Sequence, residues 1–165
     1  MPVVTSHIIG TMALTLFAAT LTVYLYVIVC NENMSIASSK LQMITDYTAV
    51  RAVELISMAN MSNTQSCIQS SLELPMTITN GGYWIAISEA NGYMVMATTN
   101  IQPFISVKSM MPLNSTSVNV QVVSTEGLII DGVKVEPRIY GGLADAVIWA
   151  RRIGNTIQIG LGRRL

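Results

Sequence analysis

Two different periods of hydrophobic and polar positions divide this chain. From Ile8 to Cys30 no residue is charged. At about 1.5 Å per residue that run spans roughly 35 Å as a helix, enough for a hydrocarbon core of about 30 Å. Beyond it, Met34, Ala37, Leu41, Ile44, Thr48, Ala52, Leu55 and Met58 or Ala59 recur every three or four positions. Glu32, Lys40, Asp46, Arg51 and Glu54 mostly fall off that stripe, which is an amphipathic pattern. No proline or glycine interrupts the chain between Thr11 and Asn60, so one helix from about Ser6 to Asn60 is predicted. The stripe needs cover, either from the rest of the chain or from neighbouring copies. Residues 61–71, rich in Asn, Ser and Gln without a period, read as a linker.

From Leu72 the period becomes two. Leu74, Met76 and Ile78 alternate, then residues 79–82 turn. Tyr83, Ile85 and Ile87 alternate with Trp84, Ala86 and Ser88, and Asn91-Gly92 is a hairpin signal. Strands follow at Tyr93–Thr98, at Gln102–Ser109 (an edge strand, given Pro103), at Ser117–Ser124, at Gly127–Asp131 and at Val133–Tyr140. The Asp131-Gly132 and Gly154-Asn155 pairs read as turns. Ala146–Arg152 and Thr156–Leu161 close the chain, with Leu143–Ala150 fitting a short helix almost as well as a strand. Eight or nine short strands at regular spacing predict an antiparallel β-sandwich or flattened barrel. The expected class is therefore α+β, with a short segment at 1–7, a transmembrane helix at 8–30, an amphipathic stalk at 31–60, a linker at 61–71 and a β-sandwich head at 72–165.

Composition narrows the function. Half of the 165 residues are hydrophobic (51%) and only 11% are charged, against roughly 25% in an average soluble domain. The nine basic and nine acidic residues cancel, so the basic excess of a nucleic-acid binder is missing. One histidine and two distant cysteines make no zinc site, and no Ser–His–Asp set or paired carboxylate is apparent. Glycine pairs at 81–82 and 141–142 lack the Lys and Ser/Thr of a phosphate loop. Neither catalysis nor a cofactor is expected. His7, beside the span, has no charged neighbour to make a proton switch.

The apolar segment has no basic start and is longer than a cleavable signal, so an uncleaved anchor is expected. Thr11, Thr15, Ala18 and Thr22 share one helical face. Small and hydroxyl residues in lipid let helices approach closely, although such hydroxyls also bond to their own helix's carbonyls. This face, with Leu41, Ile44 and Leu55 of the stalk, is the candidate helix–helix assembly surface. Tyr24 and Tyr26 suit the interface at the span's end. Lysine and arginine are too sparse to orient the span: only Lys40 and Arg51 follow nearby. Candidate N-glycosylation sites at Asn33, Asn60 and Asn114, and a head rich in Ser, Thr and Asn, place the head outside the cell membrane. A straight helix between Cys30 and Cys67 keeps them too far apart for an internal disulfide. Residues 131–165 carry six basic against three acidic side chains. Arg151, Arg152, Arg163 and Arg164 among them are candidate partner contacts.

The layout of an apolar N-terminal helix, an amphipathic continuation and an all-β head resembles the archaeal type IV pilin-like superfamily. It is closest in form to the archaellar stator proteins F and G. The uncharged start Val3-Val4-Thr5-Ser6-His7-Ile8-Ile9 fits them, as does the opening Leu74-Pro75-Met76-Thr77-Ile78 with Gly81-Gly82-Tyr83-Trp84-Ile85. A pilin carries a basic residue before its apolar helix for the prepilin peptidase, and often a glutamate at the fifth mature position; here Gly10 follows Ile9. The resemblance therefore implies an uncleaved stator-like or minor structural subunit of a surface filament. Its partners would be further copies or sister subunits, the membrane and an S-layer. A major pilin and an anchored extracellular binding module with Tyr83, Trp84, Tyr93 or Tyr140 in its site are the alternatives.

Overall fold

In the computed structural model, Pro2–Met61 form one α-helix, α1. The structure describes residues 2–62, 67–79, 81–90, 92–100, 104–113 and 119–165, with side chains from His7 onward. Proline at the first helical position costs nothing, because its missing N–H would have no partner there. The last turn has no basic residue of its own. Instead Arg152 donates from Nη1 to the Asn60 carbonyl oxygen at 2.8 Å, placing a cation on the negative end of the helix.

Residues 1–36 form one compact unit and residues 37–165 another. In the second unit α1 buries Ala37, Leu41, Thr45, Thr48, Ala49, Ala52, Leu55, Ile56 and Ala59, spaced at one, three or four. The amphipathic stripe is thus covered by the chain's own β residues. The two buried hydroxyls cause no polar deficit: Thr45 donates to the Leu41 carbonyl at 2.6 Å and Thr48 to that of Ile44 at 2.8 Å.

Ten strands follow among the described residues: β1 (Ile68–Ser71), β2 (Tyr83–Ser88), β3 (Met94–Thr99), β4 (Ser106–Met110), β5 (Asn119–Val122), β6 (Ile129–Ile130), β7 (Val133–Val135), β8 (Ile139–Tyr140), β9 (Ala146–Ile153) and β10 (Thr156–Arg164). They make a four-stranded sheet, β4-β3-β2-β8, and a six-stranded one, β1-β9-β10-β7-β6 with β5 also on β10. The chain is α+β, as expected. Among the described residues all strand pairs are antiparallel except β5 with β10, which is parallel.

Several elements differ from the sequence reading. Ile68–Ser71 is a strand, not linker: it is an edge that pairs only with β9, so its ladder rather than its polar side chains defines it. Leu74–Ile78 is not a strand. Pro75 has no N–H to give a ladder, and the segment instead buries Leu74 and Ile78 and closes a small turn through Ile78 and Gly81. The run Val133–Tyr140 splits at Glu136-Pro137, sending β7 to one sheet and β8 to the other. Ala146–Ile153 is a strand, not a helix.

One hydrophobic cluster joins both sheets to α1. It takes Tyr83, Ile85, Ile87, Val95, Ala97 and Ile139 from the four-stranded sheet. Ile148, Ala150, Ile157, Ile159 and Leu161 come from the six-stranded sheet. Leu41 and Leu55 come from the helix. The opposite face of β9 feeds a smaller cluster of Ile130, Val133, Val135, Val147 and Trp149. Trp149 lies over Gly160, its register partner; a Cβ there would sit 2.8 Å from the indole and 2.6 Å from the Val123 carbonyl oxygen. Polar ties reinforce the sheet-to-sheet contact. Tyr93 donates its hydroxyl to the Val120 carbonyl at 2.5 Å, and the Val122 N–H donates to the Glu89 carboxylate.

Candidate functional site

The most unusual surface is the first unit of α1. Every described residue from His7 to Val29 is exposed, including Leu14, Phe17, Leu21, Tyr24 and Leu25. The helix is long and apolar enough to cross a membrane, with a mean hydropathy of 2.1 over its best stretch and none of that stretch buried. Water-exposed apolar area costs about 25 cal/mol per Å², so a surface of this kind needs an apolar environment.

The threonines of this segment satisfy themselves. Thr11 donates to the carbonyls of Ile8 (2.9 Å) and His7 (3.1 Å), and Thr15 to those of Met12 (2.9 Å) and Thr11 (3.1 Å). Thr20 donates to Phe17 and Thr22 to Ala18, at 2.9 and 2.8 Å. Their protons are already taken within the helix, which lowers the cost of placing a hydroxyl in lipid. The face of Thr11, Thr15, Ala18 and Thr22 therefore presents small, smooth side chains rather than free donors.

Of the stalk residues expected on an assembly surface, Leu41 (0% exposed) and Leu55 (3%) lie in the core of the second unit. Ile44 packs partly against that core. They fix the helix to the β residues and are not open to another chain. Met43 and Val50 are exposed apolar residues of the same stretch that the sequence stripe did not mark, and of its two alternatives at the end, Met58 is exposed whereas Ala59 is buried.

The basic residues are mostly engaged inside the head. Arg151 donates to the Gln158 side chain at 3.0 Å, and Gln158 to Gln121 at 3.1 Å, a ladder across β9, β10 and β5. Arg152 caps α1. Arg163 pairs with Glu136 at 2.9 Å. Arg164 is exposed at the end of β10. Asn33 is exposed within continuous helix, Asn60 is exposed on its last turn, and Asn114 lies outside the described residues.

The aromatic residues separate by burial. Tyr83 is fully buried and donates its hydroxyl to the Pro75 carbonyl at 2.9 Å; burial pushes its ionisation up. Trp84 and Tyr140 face outward as register partners, and the Arg138 guanidinium lies 4.5 Å over the Trp84 ring. An open groove of about 430 Å³ runs between Met43, Ile44, Tyr47, Arg51 and Glu73. Its charged groups are exposed, and Arg51 pairs with Glu54 at 2.9 Å. Among the described residues no three His, Cys, Asp or Glu side chains converge to hold a metal. Cys30 and Cys67 are free thiols. The Cys67 thiol is pushed up to about 11, chiefly by burial and then by the Asp131 carboxylate, with Arg151 opposing.

No family model, curated protein or solved structure matches this chain.

Proposed function

We propose that this protein is a membrane-anchored, non-enzymatic structural subunit of a surface filament, of the archaeal pilin-like kind that its layout resembles. Residues 8–30 anchor it in the cell membrane, and the two sheets form a sandwich-like head on the outer side. One observation carries the reading: α1 leaves its apolar residues 8–29 exposed, yet buries its 37–59 face in the second unit's core. A soluble domain hides its apolar helix. Here the same helix is buried in one part and bare in the other, as an anchor that also belongs to its head must be.

The small, self-satisfied face at Thr11, Thr15, Ala18 and Thr22 supports assembly with further copies or sister subunits through close helix packing. Cross-linking of the full chain in membranes tests this. Dimers and higher species that disappear when Ala18 is replaced by Leu are the expected result. A monomer at all protein-to-lipid ratios rejects assembly through this face.

A further inference from the structure

The outward face of the four-stranded sheet has a composition of its own. Strand alternation puts Trp84, Ala86 and Ser88 of β2 on this face, since Ile85 and Ile87 point into the core. Register then adds Met94, Met96 and Thr98 of β3, Ser106, Lys108 and Met110 of β4, and Tyr140 of β8; Ala86 and Met94 are buried, so the open part of the face is formed by the others. The four strands contain no Asp or Glu at any position. Arg138, which precedes β8 and lies over Trp84, joins Lys108 as the second cation of this face; both are exposed, and among the described residues neither forms an ion pair. That sets them apart from Arg151, Arg152 and Arg163, whose heads are held by amide, carbonyl or carboxylate partners within the fold.

Arg138 is also pre-positioned. Stacking on Trp84 at 4.5 Å fixes its plane while leaving its N–H edges without a carboxylate. A guanidinium held this way has already lost much of its rotamer freedom, and it matches a planar carboxylate with two parallel hydrogen bonds. Beside it stands the Tyr140 ring, 49% exposed and directly across from Trp84. A row of hydroxyls continues on the other side, where Thr98 donates to Ser106 at 3.1 Å. The sheet order puts Lys108 on β4, three strands from β8, which Arg138 leads into; at about 4.8 Å per strand the two chain positions stand roughly 14 Å apart across the face. Cations at that spacing, with the hydroxyl row between them and the Tyr140 ring beside Arg138, suit a chain of acidic sugar rings: the ring takes a sugar's C–H face and the cations take carboxylates on separate residues. An acidic peptide would offer carboxylates but no rings for Tyr140 and few partners for the hydroxyl row.

We infer that this face, through Arg138, Lys108, Trp84, Tyr140 and Thr98, binds an acidic polysaccharide, with Arg138 taking a sugar carboxylate. The inference does not depend on how α1 assembles. It is tested with the full chain in neutral detergent at pH 7, titrated with polygalacturonate, neutral dextran and polyglutamate. Polygalacturonate is expected to bind, weakening as salt rises. Arg138→Gln and Lys108→Gln are each expected to weaken it about tenfold, the scale of one charge-assisted hydrogen bond. Tyr140→Ala is expected to weaken it severalfold, and Lys134→Gln on β7 is expected to leave it unchanged. Equal binding of polyglutamate, equal binding of dextran, no binding of polygalacturonate, or indifference to both cation substitutions overturns the inference. Circular dichroism of each variant is expected to match the parent chain, since all four side chains are at the surface.

Discussion

Single residues of the head report on its packing. Gly160 is there because Trp149 and the Val123 carbonyl leave no room for a side chain. Gly160→Ala should therefore cost about 1–3 kcal/mol, the range for forcing extra volume into a packed core, read as a lower urea midpoint with an unchanged slope. Cys67 makes a chemical prediction. Its proton is retained in the fold up to about pH 11, against an ordinary value of 9.0. The folded state is thus favoured below pH 9, and this contribution is lost as pH rises from 9 to 11. Alkylation of Cys67 by iodoacetamide should be slow at pH 8 and rise steeply only well above pH 9, while the urea-unfolded chain reacts readily at pH 9. At this scale the sequence was legible where a residue type dictates its own backbone. Asp131-Gly132 reads as a turn, and both residues take positive φ, 45° and 82°. It was not legible at Gly160 or Trp149, because their closeness depends on strand register, which no local pattern states.

Elements were legible in proportion to how strongly one period dominated. The helix stood out because no proline or second glycine broke it and its apolar spacing persisted to Ala59. Tyr83–Ser88 stood out because one side of the alternation is all core. Ile68–Ser71 was hidden because an edge strand of Ile, Gln and Ser owes its form to the neighbouring strand. Leu74–Ile78 misled because alternation is counted in side chains, whereas a ladder needs the N–H that Pro75 lacks. The stalk stripe was seen, but not which partner would cover it. Two predictions belong here. Leu41→Ala, in the helix face under the head, should cost about 2–5 kcal/mol, seen in urea unfolding of the full chain. Thr15→Val should leave cross-linking between copies almost unchanged, since the Thr15 hydroxyl bonds within its own helix. Thr15→Leu should reduce it sharply, because bulk rather than hydrogen bonding then sets the approach. Equal losses from both variants would mean that the hydroxyl itself bonds across the helices.

For the whole molecule, the division of one helix between two environments is the organising fact. Residues 1–36 and 37–165 separate as units, and apolar side chains are exposed in the first while the same side-chain types are buried in the second. A low charge content follows from this, since residues 8–30 contribute none and the core little. The sequence expressed that division plainly through charge alone; the identity of what surrounds the bare part is a matter of its chemistry. The most direct measurement uses a nitroxide placed at residue 14 through Leu14→Cys, with Cys30→Ser and Cys67→Ser, in liposomes holding the full chain. The account predicts strong relaxation by oxygen, which concentrates in lipid, and almost none by a water-soluble nickel chelate. Strong relaxation by nickel and little by oxygen would show that residue 14 faces water, and would contradict the account.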